Sequence, residues 1–247
     1  MGGNPVLFVA HPGHELLVFG WMVSTAPRVF ILTDGSGRVG NPRTHYSREL
    51  VQEAGASAGS IFGRFSDAAI YRVLLDRTHD DLVHVAHDLA REFRDDPPAC
   101  VVTDSLEGYN PVHDLCRWIA GAALRIAGCD APQYEFSTTG RPMSGGFTVE
   151  LPEDVIERKI AAAMKYEPLR DEVTAKLDRF GREFLRTEPF ASIAAWNDTS
   201  GFESSKPEYE QIGEDRVAGG VYRETIRFRD HLLPVRESLC AEALVRS

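Results

Sequence analysis

Apolar residues along this chain fall into short unbroken runs separated by stretches of helical spacing. Residues 5–10, PVLFVA, form a strand-like run that stops at His11-Pro12-Gly13. Leu16, Leu17, Phe19 and Trp21 then recur at helical intervals between Glu15 and Met22. A second run, Val29 to Leu32, ends in Thr33-Asp34-Gly35-Ser36-Gly37, which carries the turn residues of a loop leaving a buried parallel strand. Further on, the pattern predicts helix over Arg48 to Gly59, strand over Ile70 to Leu74 and amphipathic helix over Asp80 to Phe93. A break follows at Asp95-Asp96-Pro97-Pro98, then a strand at Cys100 to Val102. Asn110 and Pro111 have the character of an N-cap and first helical residue, ahead of an apolar stripe through Leu115, Trp118 and Ile119.

Strands alternating with helices imply an α/β architecture: a parallel sheet with right-handed crossovers, covered on both faces as a Rossmann-like three-layer sandwich. After residue 130 the pattern changes. Gln133 to Ser137 and Phe147 to Leu151 are strand-like, and Glu153 to Phe184 holds one or two long helices. Residues 195 to 220, rich in Gly, Ser, Asn and charge, suggest an extended surface excursion, and Tyr222 to Phe228 alternates weakly like an edge strand. The expectation is a single domain over 1–247, with a core at about 5–185 and a C-terminal extension of additional helices and strands at about 186–247.

Composition narrows the partners. The 247 residues are 43% hydrophobic and 26% charged, as in soluble globular proteins. A formal net charge of −10 and the lack of a Lys/Arg stripe argue against nucleic acid and favour small neutral or cationic molecules. No apolar run reaches bilayer length, and Met1 to Pro5 lacks the basic start and apolar stretch of a secretory signal, so the expectation is a cytoplasmic protein without membrane contact. Cys100, Cys116, Cys129 and Cys240 show no C-x-x-C spacing and are read as buried thiols.

Open α/β sheets bind ligands beyond the carboxyl ends of their strands, and two histidine-bearing loops fall there, Ala10 to Glu15 and Glu107 to Asp114. His11 and His14 are three apart across a first helical turn, and His113 lies in the first turn of another helix. Three protein ligands with one open position make a catalytic zinc site, in which the ion polarises a carbonyl and acidifies water. His84 and His87 share i, i+3 spacing in the middle of a helix and are read as solvated decoys. His45, His79 and His231 have less context still.

The first loop resembles the A-H-P-D-D-E signature of the LmbE/PIG-L metal-dependent de-N-acetylases. The second, Asn110-Pro111-Val112-His113, resembles their H-P-D-H signature. The likeness extends to Thr33-Asp34-Gly35-Ser36-Gly37, to Arg48-Glu49-Leu50 and loosely to Lys159 to Tyr166, so it involves most of residues 5 to 185. It implies an LmbE-like fold with a divalent ion, zinc or another transition metal, on His11, His14 and His113. His14 stands where the family has a carboxylate ligand, and Gly13 where it has the general base. Asn110 replaces a histidine assigned to the oxyanion, a task an amide can also perform.

The function expected from these residues is metal-dependent, in practice zinc-dependent, hydrolysis: removal of an acetyl group from an N-acetylated sugar or related small amide. The substrate would be an amino sugar conjugate, with a homo-oligomer as a possible assembly. Asp114 or Glu107 would replace the missing base, and Asn110 or Tyr109 would steady the oxyanion. Glu15, Asp34 and Arg48 would support the ligands or the substrate. The alternatives are a metal- or sugar-binding homologue without hydrolysis, and a different reaction at a three-histidine centre, where iron or nickel would also suit.

Overall fold

The computed structural model describes residues 3–37, 40–203 and 205–245; Met1 and Gly2, where the leader reading begins, lie outside them. The strands are β1 (Val6–Val9), β2 (Arg28–Thr33), β3 (Ser57–Phe65), β4 (Val101–Asp104), β5 (Gln133–Phe136), β6 (Thr148–Glu150), β7 (Thr187–Pro189) and β8 (Ala191–Ser192). The helices are α1 (Phe19–Thr25), α2 (Thr44–Glu53), α3 (Asp67–Leu75), α4 (Asp80–Asp95), α5 (Pro111–Ala127), α6 (Glu153–Lys165), α7 (Glu167–Phe180), α8 (Ser200–Glu203), α9 (Glu208–Ala218) and α10 (Leu233–Leu244).

Six strands make one sheet in the order β3-β2-β1-β4-β5-β8, parallel except for β8, and β6 and β7 form a separate antiparallel pair. Every residue of β1 is fully buried, as a central strand covered on both faces requires. Successive side chains alternate between layers. Val6, Phe8, Phe30 and Leu32 pack with α4, α5 and α10, whereas Leu7, Val9, Val29 and Ile31 pack with α1, α2 and α6. This is the Rossmann-like three-layer sandwich that the alternation of runs predicts.

The chain steps outward from β1 through β2 to β3, then returns to the other side of β1 to lay down β4 and β5. The order therefore reverses between β1 and β4, which opens a crevice at their carboxyl ends. The loops after β1 and β4 are the two that carry His11, His14 and His113.

Four expectations are corrected. Helix α2 ends at Glu53, and Ser57 to Phe65 is a strand, not the tail of that helix. Its small and polar residues suit an edge strand, and its register against β2 shifts twice. Ile70 to Leu74 is helical rather than extended, because Ser66 accepts from Ala69 N–H and starts α3 with an N-cap that overrides β-branched propensity. Residues 195 to 220 contain α8 and α9, so they are not merely a surface excursion. Tyr222 to Phe228 forms no strand and leads into a wide helical turn, Phe228–Leu232, ahead of α10.

Beneath α1 lies a buried ion pair. Lys159 Nζ donates to Glu188 Oε1 at 2.7 Å and to Leu17 O at 3.0 Å. Glu188 in turn accepts from Gly20 N–H and Trp21 N–H, capping the helix start. Cys116 is buried and the other three cysteines are half-buried; all four are free thiols. Among the described residues no helix is long and apolar enough to cross a membrane.

Candidate functional site

His11 follows β1, His14 opens the short 3-10 turn His14–Val18, and His113 lies in the first turn of α5. The turn is made possible by Gly13, at φ 109°, a backbone region that side-chain-bearing residues rarely adopt. Asn110 caps α5 by accepting from Val112 N–H at 2.9 Å, with Pro111 behind it, as the sequence predicts.

These elements bring the three rings together. Centroid separations are 5.4 Å for His11 and His14, 5.2 Å for His11 and His113, and 4.5 Å for His14 and His113. Three imidazoles holding one tetrahedral ion at about 2.0–2.1 Å have ring centres roughly 5 Å apart, so the spacing matches such a set.

Each ring is held from behind at Nδ1. His11 Nδ1–H donates to Thr33 Oγ1 at 2.7 Å, and Asp67 Oδ1 lies 3.2 Å from the same nitrogen. His14 Nδ1–H donates to Asp104 Oδ1 at 2.9 Å. His113 Nδ1–H donates to Thr138 Oγ1 at 3.1 Å, and Thr138 in turn donates to Glu107 Oε2 at 2.7 Å. With Nδ1 so engaged, Nε2 is the nitrogen left with a lone pair on every ring. Metal-binding histidines are usually oriented by such partners.

Burial and charge set the protonation of the rings. Burial pushes His11 down, against the pull of Asp67, and pushes His113 well below the usual imidazole range, aided by the charges of His14 and His11. For His14 burial acts in the same sense but is outweighed by Asp104, and its pKa rises. Asp67 is held below the usual carboxylate range because His11 and Thr33 outweigh its desolvation.

The donor set fits a divalent ion by its chemistry: three imidazoles with fixed tautomers on a buried, polar-backed site. As the side chains stand, however, no group of three or more His, Cys, Asp or Glu among the described residues is arranged to hold a metal ion. One contact competes directly, since Asn110 Nδ2 lies 3.3 Å from His11 Nε2 and donates into the lone pair an ion would use.

Several supporting residues lie elsewhere than expected. Asp114 is fully buried, and its Oδ1 accepts from Glu107 N–H and Gly108 N–H, tying down the loop. Burial raises its pKa well above the carboxylate range. Glu107 is saturated by the hydroxyls of Ser137, Thr138 and Thr139; despite the desolvation that opposes it, they hold its pKa low. Both oxygens of Glu107 are thus engaged, whereas Asp114 keeps its buried Oδ2 without a hydrogen-bond partner. Glu15 accepts from Gly13 N–H at 2.8 Å and bonds Ser47, so it braces the turn and does not orient an imidazole. Asp34 closes its own turn by accepting from Ser36 N–H. Arg48 is exposed and stacked on Phe62 at 4.4 Å. Tyr109 is 45% exposed at the rim, with its ring 6.3 Å from that of His113.

The residues that do brace the rings, Thr33, Asp67, Asp104 and Thr138, escape sequence reasoning. Thr33 and Asp104 carry one legible signal: each is the last residue of a strand that ends at the crevice. Arg43, which donates from Nε to Gly35 O at 2.7 Å, is the cation whose charge reaches His14. His87 pairs with Glu242 at 3.0 Å and joins α4 to α10, and His84 is exposed.

No family model and no curated protein matches the sequence. Solved structures of similar fold include the conserved protein TT1542 from Thermus thermophilus, at 18% identity and TM-score 0.57, with 82% of this chain and 100% of that chain covered. The 4-carboxy-2-hydroxymuconate hydratase GalB from Pseudomonas putida matches at 16% identity and TM-score 0.54, covering 79% and 97%. The zinc-inhibited form of the teicoplanin deacetylase Orf2 matches at 15% identity and TM-score 0.52, covering 76% and 99%. At these identities the likeness is one of fold: this chain shares the three-layer architecture on which a deacetylase and a hydratase are both built.

Proposed function

We propose that His11, His14 and His113 form a divalent-metal centre that hydrolyses an acetamido group, or a comparable amide, on a sugar-like small molecule, as in the LmbE/PIG-L de-N-acetylases. The observation that carries this reading is the convergence of three rings at 4.5 to 5.4 Å, each anchored at Nδ1 by a different partner. A divalent ion supplies such a site with polarisation of the amide carbonyl and acidification of water.

The chain's own residues supply the rest. Asp104, the Thr33 and Asp67 pair, and the Thr138 and Glu107 pair hold the three imidazoles in one orientation. Asn110 offers an amide N–H to the developing oxyanion, at the place where it now meets His11. Tyr109, on the exposed rim, closes over a bound sugar by stacking. A deacetylase of this fold described in a zinc-inhibited form is in keeping with a divalent ion here, without making zinc the productive one.

A second reading has its own support. The carboxylates that touch the rings, Asp67 and Asp104, touch them at Nδ1, and the space beside Gly13 is filled by Leu169. A centre without a proton-accepting carboxylate suits binding without hydrolysis, or a different reaction such as that of the hydratase of this fold. The test is metal analysis of the purified protein, then acetate release from N-acetylated amino sugars with and without chelator. About one ion per chain and chelator-sensitive release are expected. Metal without acetate release favours the second reading, and failure to take up any divalent ion removes both.

A further inference from the structure

Asp104 stands out among the buried acids. It is fully buried and ends the central strand β4, and both its oxygens are committed: Oδ2 accepts from Ala10 N–H at 2.7 Å, and Oδ1 accepts from His14 Nδ1–H at 2.9 Å. Among the described residues its one ion-pair partner is His14. A buried carboxylate is costly unless paired or hydrogen-bonded, and no Lys or Arg here relieves it. Its bond to Ala10 also fixes it to the strand end from which His11 departs, so one carboxylate sets the position of both histidine-bearing turns of the first loop.

We propose that Asp104 is the positioning residue of the three-histidine centre: it locks His14 in the Nδ1–H tautomer, turns the Nε2 lone pair toward the other two rings, and supplies the negative charge that the ligands lack. This rests on the metal-centre reading above. His11 leans on Thr33 and on the carboxylate of Asp67, and His113 leans on Thr138, whose hydroxyl proton is directed to Glu107. Asp104 can only accept, so it holds the proton on His14 Nδ1, as Asp67 does on His11. What sets His14 apart is that its Nδ1 partner is a fully buried carboxylate that also holds the strand end from which His11 departs.

The experiment uses Asp104→Asn in the full chain. The amide oxygen still serves Ala10 N–H, but the NH2 group now faces His14 Nδ1 and forces the proton onto Nε2. Zinc and cobalt affinities are measured by competition with a chromophoric chelator. Nitrogen NMR of the metal-free wild-type protein reads the His14 tautomer directly. Expected are the Nδ1–H tautomer in wild type and an affinity loss of about 10- to 100-fold in Asp104→Asn, the range for removing such a partner. In a His14→Asp background, where a carboxylate needs no tautomer, the same change costs less than about threefold on that scale. An Nε2–H tautomer in wild type overturns the proposal whatever the variant does, as does an unchanged affinity or an equal loss in both backgrounds. If wild type takes up no ion at all, the metal-centre reading falls first and the positioning role with it.

Discussion

A β-carbon placed on Gly13 would stand 2.7 Å from Leu169 Cδ1. The first turn of α7 thus fills the space where a side chain at position 13 would project, and the backbone there, at φ 109°, disfavours any such side chain. Restoring a carboxylate is therefore not a single-residue change. Gly13→Asp is expected to lose about 1–3 kcal/mol, lowering Tm by several degrees at roughly 2–4 °C per kcal/mol. Gly13→Asp with Leu169→Ala should carry the backbone strain without the clash, and so melt above Gly13→Asp once the cost of Leu169→Ala alone is subtracted. Thermal melts of the four proteins settle it; equal melting of Gly13→Asp and wild type would refute the clash.

Glu107 gives a pH signature. Burial opposes its ionisation, but hydrogen bonds from Ser137, Thr138 and Thr139 outweigh it and lower the folded pKa. Near pH 4 the unfolded chain then binds more protons, so stability rises with pH there. The contribution is present above the ordinary Glu value of about 4.3 and disappears as pH falls through the lower folded value. Glu107→Gln should cost about 1–3 kcal/mol at pH 7, and the gap should narrow as both proteins are acidified to pH 3. A gap that stayed constant or widened on acidification would contradict the direction of the shift.

The legible part of the molecule follows from where hydrophobic pattern and capping chemistry agree. The runs at residues 5–10 and 29–32 face no competing signal; β1 sits within the first, and β2 extends the second by one residue at each end. Asn110-Pro111 declares the start of α5 by cap and ring geometry alone. Edge strand β3 has no such signature, because SAGSIFGRF buries little and pairs on one side, so only its contact with β2 makes it a strand. The three histidines are visible because the loops that carry them interrupt apolar runs. Their partners are not, since Thr33, Asp67, Asp104 and Thr138 reach them across 22 to 90 positions for His11, His14 and His113. Asp114, next to His113, and Glu107, six positions before it, spend hydrogen-bonding oxygens on the loop between them and on the hydroxyls of Ser137 to Thr139 respectively, which their place in the sequence does not show.

The buried Lys159 and Glu188 pair should behave as a unit. Lys159→Met leaves Glu188 charged beneath α1, held only by the N–H groups of Gly20 and Trp21. Stripping one partner from a buried pair typically costs about 3–5 kcal/mol. Lys159→Met with Glu188→Gln removes the charge but keeps an acceptor for the helix start, and should recover part of that loss. Urea unfolding would read both. A single variant within about 1 kcal/mol of wild type would mean that the pair contributes as little as a surface salt bridge does.

Asn110 has two jobs that can be separated. Its Oδ1 caps α5 at Val112 N–H, and its Nδ2 donates to His11 Nε2. Asn110→Ser keeps a capping oxygen and removes the amide donor, whereas Asn110→Ala removes both. The alanine variant should lose about 1 kcal/mol of stability and the serine variant only a few tenths. Both should bind a divalent ion at least as tightly as wild type, because the His11 lone pair no longer faces a competing N–H. If instead both variants bound the ion tenfold more weakly, Asn110 would be supporting the centre rather than competing for it. Its amide would then have to be counted with Asp104 among the groups that hold the rings in place.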